Sequence, residues 1–493
     1  MTAELLLGID IGSASSKGVL STPAGDIVAT AERPHELSIP RPGWFEHDAE
    51  QIWWSDFRSI CAELVPRTAG RLAGLCVSGI GPCLLPTDAG GAPLREAILY
   101  GIDTRATREI DELTATFGAE RILQRCGSPL TSQAVGPKLA WLRRNEPEVW
   151  ARTKRFMMAS SFIVHRLTGQ YVLDHHSASQ CDPLYDIATN SWIDEWCSEI
   201  APGLVFPELL WPADVAGAVT AKASELTGIP AGTPVAAGTI DAWAEAVSVG
   251  VREPGDLMVM YGTTMFMVEV LDRPRSHPKL WGTTGVFPGT NNLAAGMATS
   301  GALTAWVRKL VGDLPYELLT QEASAVSPGS MGLIVLPYFA GERTPLFDPS
   351  ARGLVIGLTL AHDRRHLYRA VLEGTAFGLR HNLEVMQTAG GGGRRLVAVG
   401  GGTKGGLWTQ IVSNITGRAQ EIPKITIGAA YGDAFLAGLG VRSVNRHAEW
   451  NPIGHIVQPE TDTLATYAEL YRTYRELYPA TLKQMHALAA LGS

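Results

Sequence analysis

The apolar positions of this chain fall first into short runs and later into helical stripes. Leu5, Leu6, Leu7 and Ile9 form a run that ends at Asp10, residues 12–16 are small, and Val19 and Leu20 belong to a returning run. Residues 22–26 turn again into an apolar stretch at 27–31. Short runs separated by such turns predict a β-meander. Asp48 and Gln51 stand as an N-cap and its N3 partner before Trp53, Trp54 and Phe57, which predicts a helix, and residues 72–78 read as the next strand. From 103 to 226 the pattern is mostly helical.

The middle of the chain carries the pattern most useful for function. Val235, Ala236 and Ala237 end at Gly238, and residues 242–249 place Trp243, Ala246 and Val247 at helical spacing, so Asp241 sits on a strand-to-helix turn. A carboxylate there lies among unpaired N–H groups at the positive end of a helix, which favours its ionised, proton-accepting form. An N-cap is the alternative reading. A strand at 256–261 follows, broken by Gly262, Thr263 and Thr264, a turn that brings N–H groups within reach of phosphate oxygens or else simply closes a hairpin.

The second half repeats the style of the first, with strands around Gly262 to Thr264 as there are strands around Gly12 and Ser13. This predicts a duplicated α/β fold with a cleft between two domains, residues 1–246 and 247–493. Further on, a long helix is expected at 366–387, a strand at 395–399, then a glycine-rich loop at 400–406 and a helix at 407–416. Strand, glycine loop and helix together suit a nucleotide.

Composition narrows the field. The chain has 493 residues, 45% hydrophobic and 18% charged, which is globular and too long for one core. A formal charge of −8 with scattered Lys and Arg gives no field for nucleic acid. The N-terminal residues lack the basic and apolar regions of a signal peptide, and no apolar segment reaches a membrane span, so a cytoplasmic protein without membrane contact is expected. The six cysteines form no C-x-x-C pair and read as reduced core thiols, and His175, His176, His362 and His366 read as surface or loop histidines. The oligomeric state is open, a homodimer being one expectation.

Candidate chemistry concentrates in three places. Asp10, Ser13 and Lys17 lie within eight positions, a compact way to hold a metal-bound polyphosphate: the acid for Mg²⁺, the turn's N–H groups for phosphate, the lysine as a point charge. A hairpin with solvated ends is the alternative. Asp103 and Arg105 could hydrogen-bond a polyol or pair with each other. Gly400, Gly402 and Gly405 satisfy G-x-G-x-x-G with Glu421 about 20 residues on, which raises an NAD-dependent oxidoreductase. Against it, the motif lies near the end of the chain and leaves the other two places unexplained. Neither a P-loop nor a G-x-S-x-G elbow occurs.

These pieces together resemble the FGGY family of carbohydrate kinases, within the actin-like, ribonuclease H-like ATPase superfamily. The most specific match is Gly353, Gly357 and Leu358, then seven residues, then His366 to Glu373. Residues 8–12 with Ser13 and Lys17, 42–48, 341–345, and 400–402 with Trp408 are similar too. In the first family signature Lys138, Leu139 and Trp141 fit, while Val135 replaces the usual Ser, Thr or Pro.

The resemblance implies two ribonuclease H-like domains with ATP and Mg²⁺ between them and a sugar or polyol held mainly by the first. It makes Asp241 the catalytic base and Asp10 the acid near the metal. Ser13, Lys17, Gly262 and Thr263 fall around the phosphates, and Gly301, Gly402 and Gly406 around the nucleoside. Ile80, Gly81, Asp103 and Asp241 fall on the substrate side. Xylulokinases carry Gln-Met-His-Gly where this chain has Gly79, Ile80, Gly81 and Pro82, and glycerol kinases an Arg-Glu pair that is absent as well. The later half is nearest to xylulokinase-like members, so a pentulose or related ketose is the expected substrate. A catalytically idle sugar-binding homologue remains a further alternative.

Overall fold

The opening meander forms as predicted. In the computed structural model, which describes residues 4–491, β1 (Leu5–Ile11) pairs antiparallel with β2 (Ser15–Ser21), and β2 with β3 (Ile27–Pro34). β1 is buried almost throughout because it is central in its sheet and covered on both faces. Asp48 does cap the next helical segment, its Oδ1 accepting from the N–H groups of Glu50 and Gln51 at 2.8 and 2.9 Å. That segment runs into α1 (Ser55–Leu64), which lays Phe57, Ile60, Cys61 and Leu64 into the core.

The chain re-enters the sheet as β4 (Leu72–Gly79), parallel to β1. It then leaves for a lobe of short helices and strands with its own core, which includes Trp141, Phe156, Tyr185 and Trp196. It returns through α2 (Ala159–Thr168), β5 (Val215–Ala218) and β6 (Pro234–Ala236), the last parallel to β4. At Gly238 the backbone kinks with φ of +75°, and an added Cβ would stand 1.9 Å from the Val77 carbonyl oxygen. Only glycine allows that approach. The kink brings Thr239 and Ile240 alongside Ser78 and Gly79, and α3 (Asp241–Ser248) begins there.

The second half repeats this order. β7 (Asp256–Tyr261), β8 (Met265–Leu271) and β9 (Asn291–Met297) form an antiparallel meander, followed by α4 (Gly301–Leu310) and the long α5 (Arg364–Thr388). β10 (Arg395–Val399) returns parallel to β7; after α6 (Leu407–Thr416), β11 (Gln420–Pro423) pairs parallel to β10. Then come α7 (Ala429–Gly440) and β12 (Ile453–Val457), antiparallel to β11. The sheets therefore read β3-β2-β1-β4-β6-β5 and β9-β8-β7-β10-β11-β12, with Trp281–Thr284 added outside β9. The faint repeat of the sequence is a repeat of the central strand order, the edge strand coming before its neighbour in the first half (β5 before β6) and after it in the second (β12 after β11).

α3 and α7 occupy equivalent places in the two halves and pack together between the sheets. Their apolar faces share one core with Leu6, Val19 and Cys76 on one side and Met258, Val268, Val397 and Val399 on the other. The fit is close: a Cβ on Gly432 of α7 would stand 1.9 Å from the Ala244 carbonyl oxygen of α3. The expected boundary at residue 246 falls inside α3.

One sequence expectation needs correction. His175, His176 and His366 are not surface or loop groups. His176 is fully buried with Nδ1 2.8 Å from the Thr284 carbonyl oxygen; His175 lies against Tyr185, 2.8 Å from its hydroxyl; His366 is buried in the capping box of α5 with Asp363. In each case a partner distant in sequence or a helix start supplies the hydrogen bond that lets an imidazole leave water. The six cysteines, by contrast, are all free and buried. No described helix is long and apolar enough to cross a membrane.

Candidate active site

The carboxyl ends of the parallel strands in both sheets face one cleft of about 460 Å³. On the first wall, pairing sets the chemistry. Asp10 at the end of β1 lies opposite Lys17 of β2 and beside Ser78 of β4, whose hydroxyl donates to Asp10 Oδ1 at 3.2 Å. The Gly12 N–H closes the β1–β2 turn on the Ser15 carbonyl oxygen at 3.1 Å. Lys17 reaches the cleft, its ammonium 3.6 Å from the exposed carboxylate of Glu32.

Asp241 is the first residue of α3, not its cap; Ile240 holds the cap position without a side-chain bond. Asp241 Oδ1 accepts from the Ala242 N–H at 2.7 Å, and its other oxygen has no protein partner among the described residues. Burial pushes the carboxyl well above its ordinary range, and the nearby charge of Asp10 pushes the same way against the Ala242 bond. Burial likewise raises Asp10 to about 6, opposed by Ser78 and Lys17. Glu245, one turn along α3 and also in the cleft, is raised to about 7 by burial and by Asp10. These acids oppose one another, and the arrangement is complementary to cationic charge.

The second wall is mostly backbone. Tyr261 and Met265 close a three-residue turn in which the Gly262 N–H donates to the Thr264 carbonyl oxygen at 3.1 Å. Gly400, directly after β10, has φ of +92° and sits against the Tyr261 backbone. Gly262, Thr264, Gly400, Gly401 and Lys404 line this side, and Thr426 to Ala429, entering α7, line the floor.

Of the residues singled out from sequence, Asp10, Ser13, Lys17, Ile80, Gly81, Asp241 and Gly262 meet in this one cleft. Thr263 is exposed at the tip of its turn while Thr264 faces in. Gly301 stands behind the turn, its N–H donating to the Gly262 carbonyl oxygen at 2.9 Å. Gly402 packs on Trp408 and Tyr261, and Gly406 caps α6. Asp103 is off the lining: Phe45 N–H and the Arg105 guanidinium occupy its oxygens, so here the ion-pair reading holds.

Sequence reading missed Tyr100, Gln133, Trp243, Glu245, Phe266 and Arg343, which also line the cleft. Only Glu245 had a local signal, four residues after Asp241 on the same helical face. The oxidoreductase reading loses its ribose-binding acid, because Glu421 is tied to Arg395 at 2.6 Å, at the opposite end of β10 from the glycine loop.

No cluster of three or more His, Cys, Asp or Glu capable of holding a metal occurs among the described residues. The donor chemistry still fits magnesium. That ion typically takes one or two carboxylates and completes its shell with water and phosphate oxygens, which Asp10, half-buried in an open cleft with Asp241 and Glu245 nearby, allows.

Comparison with known proteins agrees with this geometry. Residues 5–248 match the N-terminal domain of the FGGY family of carbohydrate kinases, and residues 257–441 match its C-terminal domain. The chain is similar to the crystal structure of xylulose kinase from Rhodospirillum rubrum, with a TM-score of 0.89 at 32% identity over 98% of this chain and 100% of that one. It is 29% identical to a xylulose kinase of Lactococcus lactis subsp. lactis (strain IL1403) over 98% of both chains. It is also 30% identical to a glycerol kinase of Nocardia farcinica (strain IFM 10152) over 88% of this chain and 89% of that one.

Proposed function

Because this chain belongs to the FGGY family of carbohydrate kinases, we propose that it transfers the γ-phosphoryl group of ATP to a hydroxyl of a sugar in the cleft, with Asp241 as the general base. The observation that carries the reading is the unpartnered oxygen of Asp241, opening into a cleft whose other wall is glycine backbone.

A sugar hydroxyl attacks phosphorus well only if its proton is accepted as the bond forms, and a positioned carboxylate supplies about 10²- to 10⁴-fold in rate. Asp241 is held for this by its place at the start of α3 and by the Ala242 N–H. Ser13, Lys17, Gly262 and Thr263, with Thr264, cradle the phosphates. Gly400 and Gly401, with Gly402 and Gly406 behind them, lie along the nucleoside, as does Gly301 from behind the Gly262 turn. Asp10 would hold magnesium, which when bound supplies charge that neutralises phosphate oxygens.

On the sugar side, Ile80, Gly81 and Ile240 give an apolar surface beside Asp241. A side chain at position 81 would meet Ile240, whose Cγ1 lies 2.7 Å from the place of an added Cβ. The relatives named xylulose kinase support a pentulose or related ketose as the acceptor, bound differently where Gly81 stands. Closing the two walls on the sugar excludes water and limits hydrolysis of ATP.

A coupled ADP-release screen over pentuloses, hexuloses, aldoses and polyols tests the reading. Sugar-dependent ADP release with a ketose is the expected result. Binding of ATP without release on any sugar would mark an idle homologue and overturn it.

A further inference from the structure

Arg343 is the one strongly basic group on the sugar side of the cleft that the mechanism above leaves unused. It projects from residues 341–345, which are stitched to β9. Glu342 Oε1 accepts from the Ala298 N–H at 2.7 Å and from the Arg343 N–H at 2.8 Å. Thr344 Oγ1 accepts from the Gly296 N–H at 2.7 Å and donates to Asn382 Oδ1 at 2.7 Å. The guanidinium lies 5.8 Å from the Trp281 ring centroid.

So firmly based a side chain spends little of its hydrogen-bonding capacity on the protein. Arg343 Nη2 donates to the Met297 carbonyl oxygen at 3.0 Å, while Nε is sealed from water with no acceptor. No carboxylate lies within ion-pair distance of it among the described residues. Burial pushes the carboxyl of Glu342, the nearest acid in sequence, up to about 8, and its Oε1 is spent on the Ala298 and Arg343 N–H groups rather than on the guanidinium. Gln133 adds to the same pattern: its Oε1 is taken by the Gly101 N–H at 2.9 Å, which leaves its NH₂ free toward the cleft. Tyr100 lines the same cleft, close enough to feel the charges of both Asp241 and Arg343.

Free groups that only donate call for a partner that only accepts. Resting on the kinase reading, we propose that Arg343, helped by Gln133, determines specificity by binding a carbonyl oxygen of the acceptor substrate at the end opposite the hydroxyl poised at Asp241. Selectivity then comes from the second domain, where Gly81 and Ile80 give none. A ketose and a sugar acid both carry such an oxygen, whereas the corresponding alditol has a hydroxyl in its place.

The test compares kcat/KM for a ketose, the aldonic acid of the same chain length and the alditol, in the wild type, Arg343→Met and Arg343→Lys, with thermal melting as a folding control. The wild type should prefer one of the two carbonyl-bearing compounds, and which one identifies the source. Arg343→Met should lower that value about 10- to 100-fold, mainly through KM, and leave the alditol nearly unchanged. Arg343→Lys should give an intermediate ratio, and it carries the test alone if the Met variant does not fold. Equal ratios in folded variants and wild type, or a wild type that prefers the alditol, would overturn the proposal while leaving the kinase reading intact. A wild type that transfers to none of a full sugar panel overturns both.

Discussion

The two domains share the order of their central strands yet present opposite kinds of surface at the ends of those strands. β1 and β4 and the start of α3 end in Asp10, Ser78 and Asp241, with Lys17 across from Asp10. The equivalent β7 and β10 end in Gly262 and Gly400. On the function proposed above, a repeated backbone supplies two tasks: one wall reacts through side chains, and the other holds a ligand along its glycine turns. Burial raises Asp10, Asp241 and Glu245 alike, and the charge of Asp10 adds to it at the other two. The second wall puts no acid into the lining; Lys404 and Arg343 are the charged groups it contributes beside the glycines.

If this division of labour is right, breaking the side-chain wall should act on turnover and breaking the backbone wall on nucleotide affinity. Asp241→Ala is expected to have the largest effect, a fall of about 10³-fold in kcat with ATP affinity near normal, read by steady-state assay and nucleotide titration. Next comes the joint between the walls. Gly432→Val drives a side chain into the Ala244 backbone of α3, and overpacking of this sort should destabilise the protein by about 3 kcal/mol, measured by denaturant unfolding. The smallest of the three effects is on the second wall. At Gly262 an added Cβ has its nearest neighbour, the Thr264 carbonyl oxygen, at 3.2 Å, so Gly262→Val should fold. It should weaken ATP binding about tenfold and spare sugar binding.

The part of this site that was legible in sequence is the part set by local geometry. Asp10 and Lys17 face each other because they flank one hairpin, and Asp241 follows a strand because Val235 to Gly238 reads as one. Arg343, Gln133 and Tyr100 were not legible, since they reach the cleft from loops held by contacts such as Glu342 to Ala298 and Gln133 to Gly101. The buried His176 was misread for the same reason, its partner Thr284 being 108 positions away. Among the glycines, a motif showed that a loop approaches a ligand but not which residue faces it: Gly400 lines the cleft, while Gly402 serves as packing for Trp408.

The central claim is that Asp241, and not its neighbour Glu245, accepts the sugar's proton. The pH dependence of kcat/KM in Glu245→Gln beside the wild type tests this most directly. A carboxylate accepts a proton only when ionised, so activity must rise with pH through its pKa, and burial sets that rise above the ordinary carboxylate range. The account predicts that the acidic limb survives in Glu245→Gln, shifted slightly toward lower pH because one repelling charge is gone. Disappearance of the limb in that variant would contradict the account and hand the proton to Glu245.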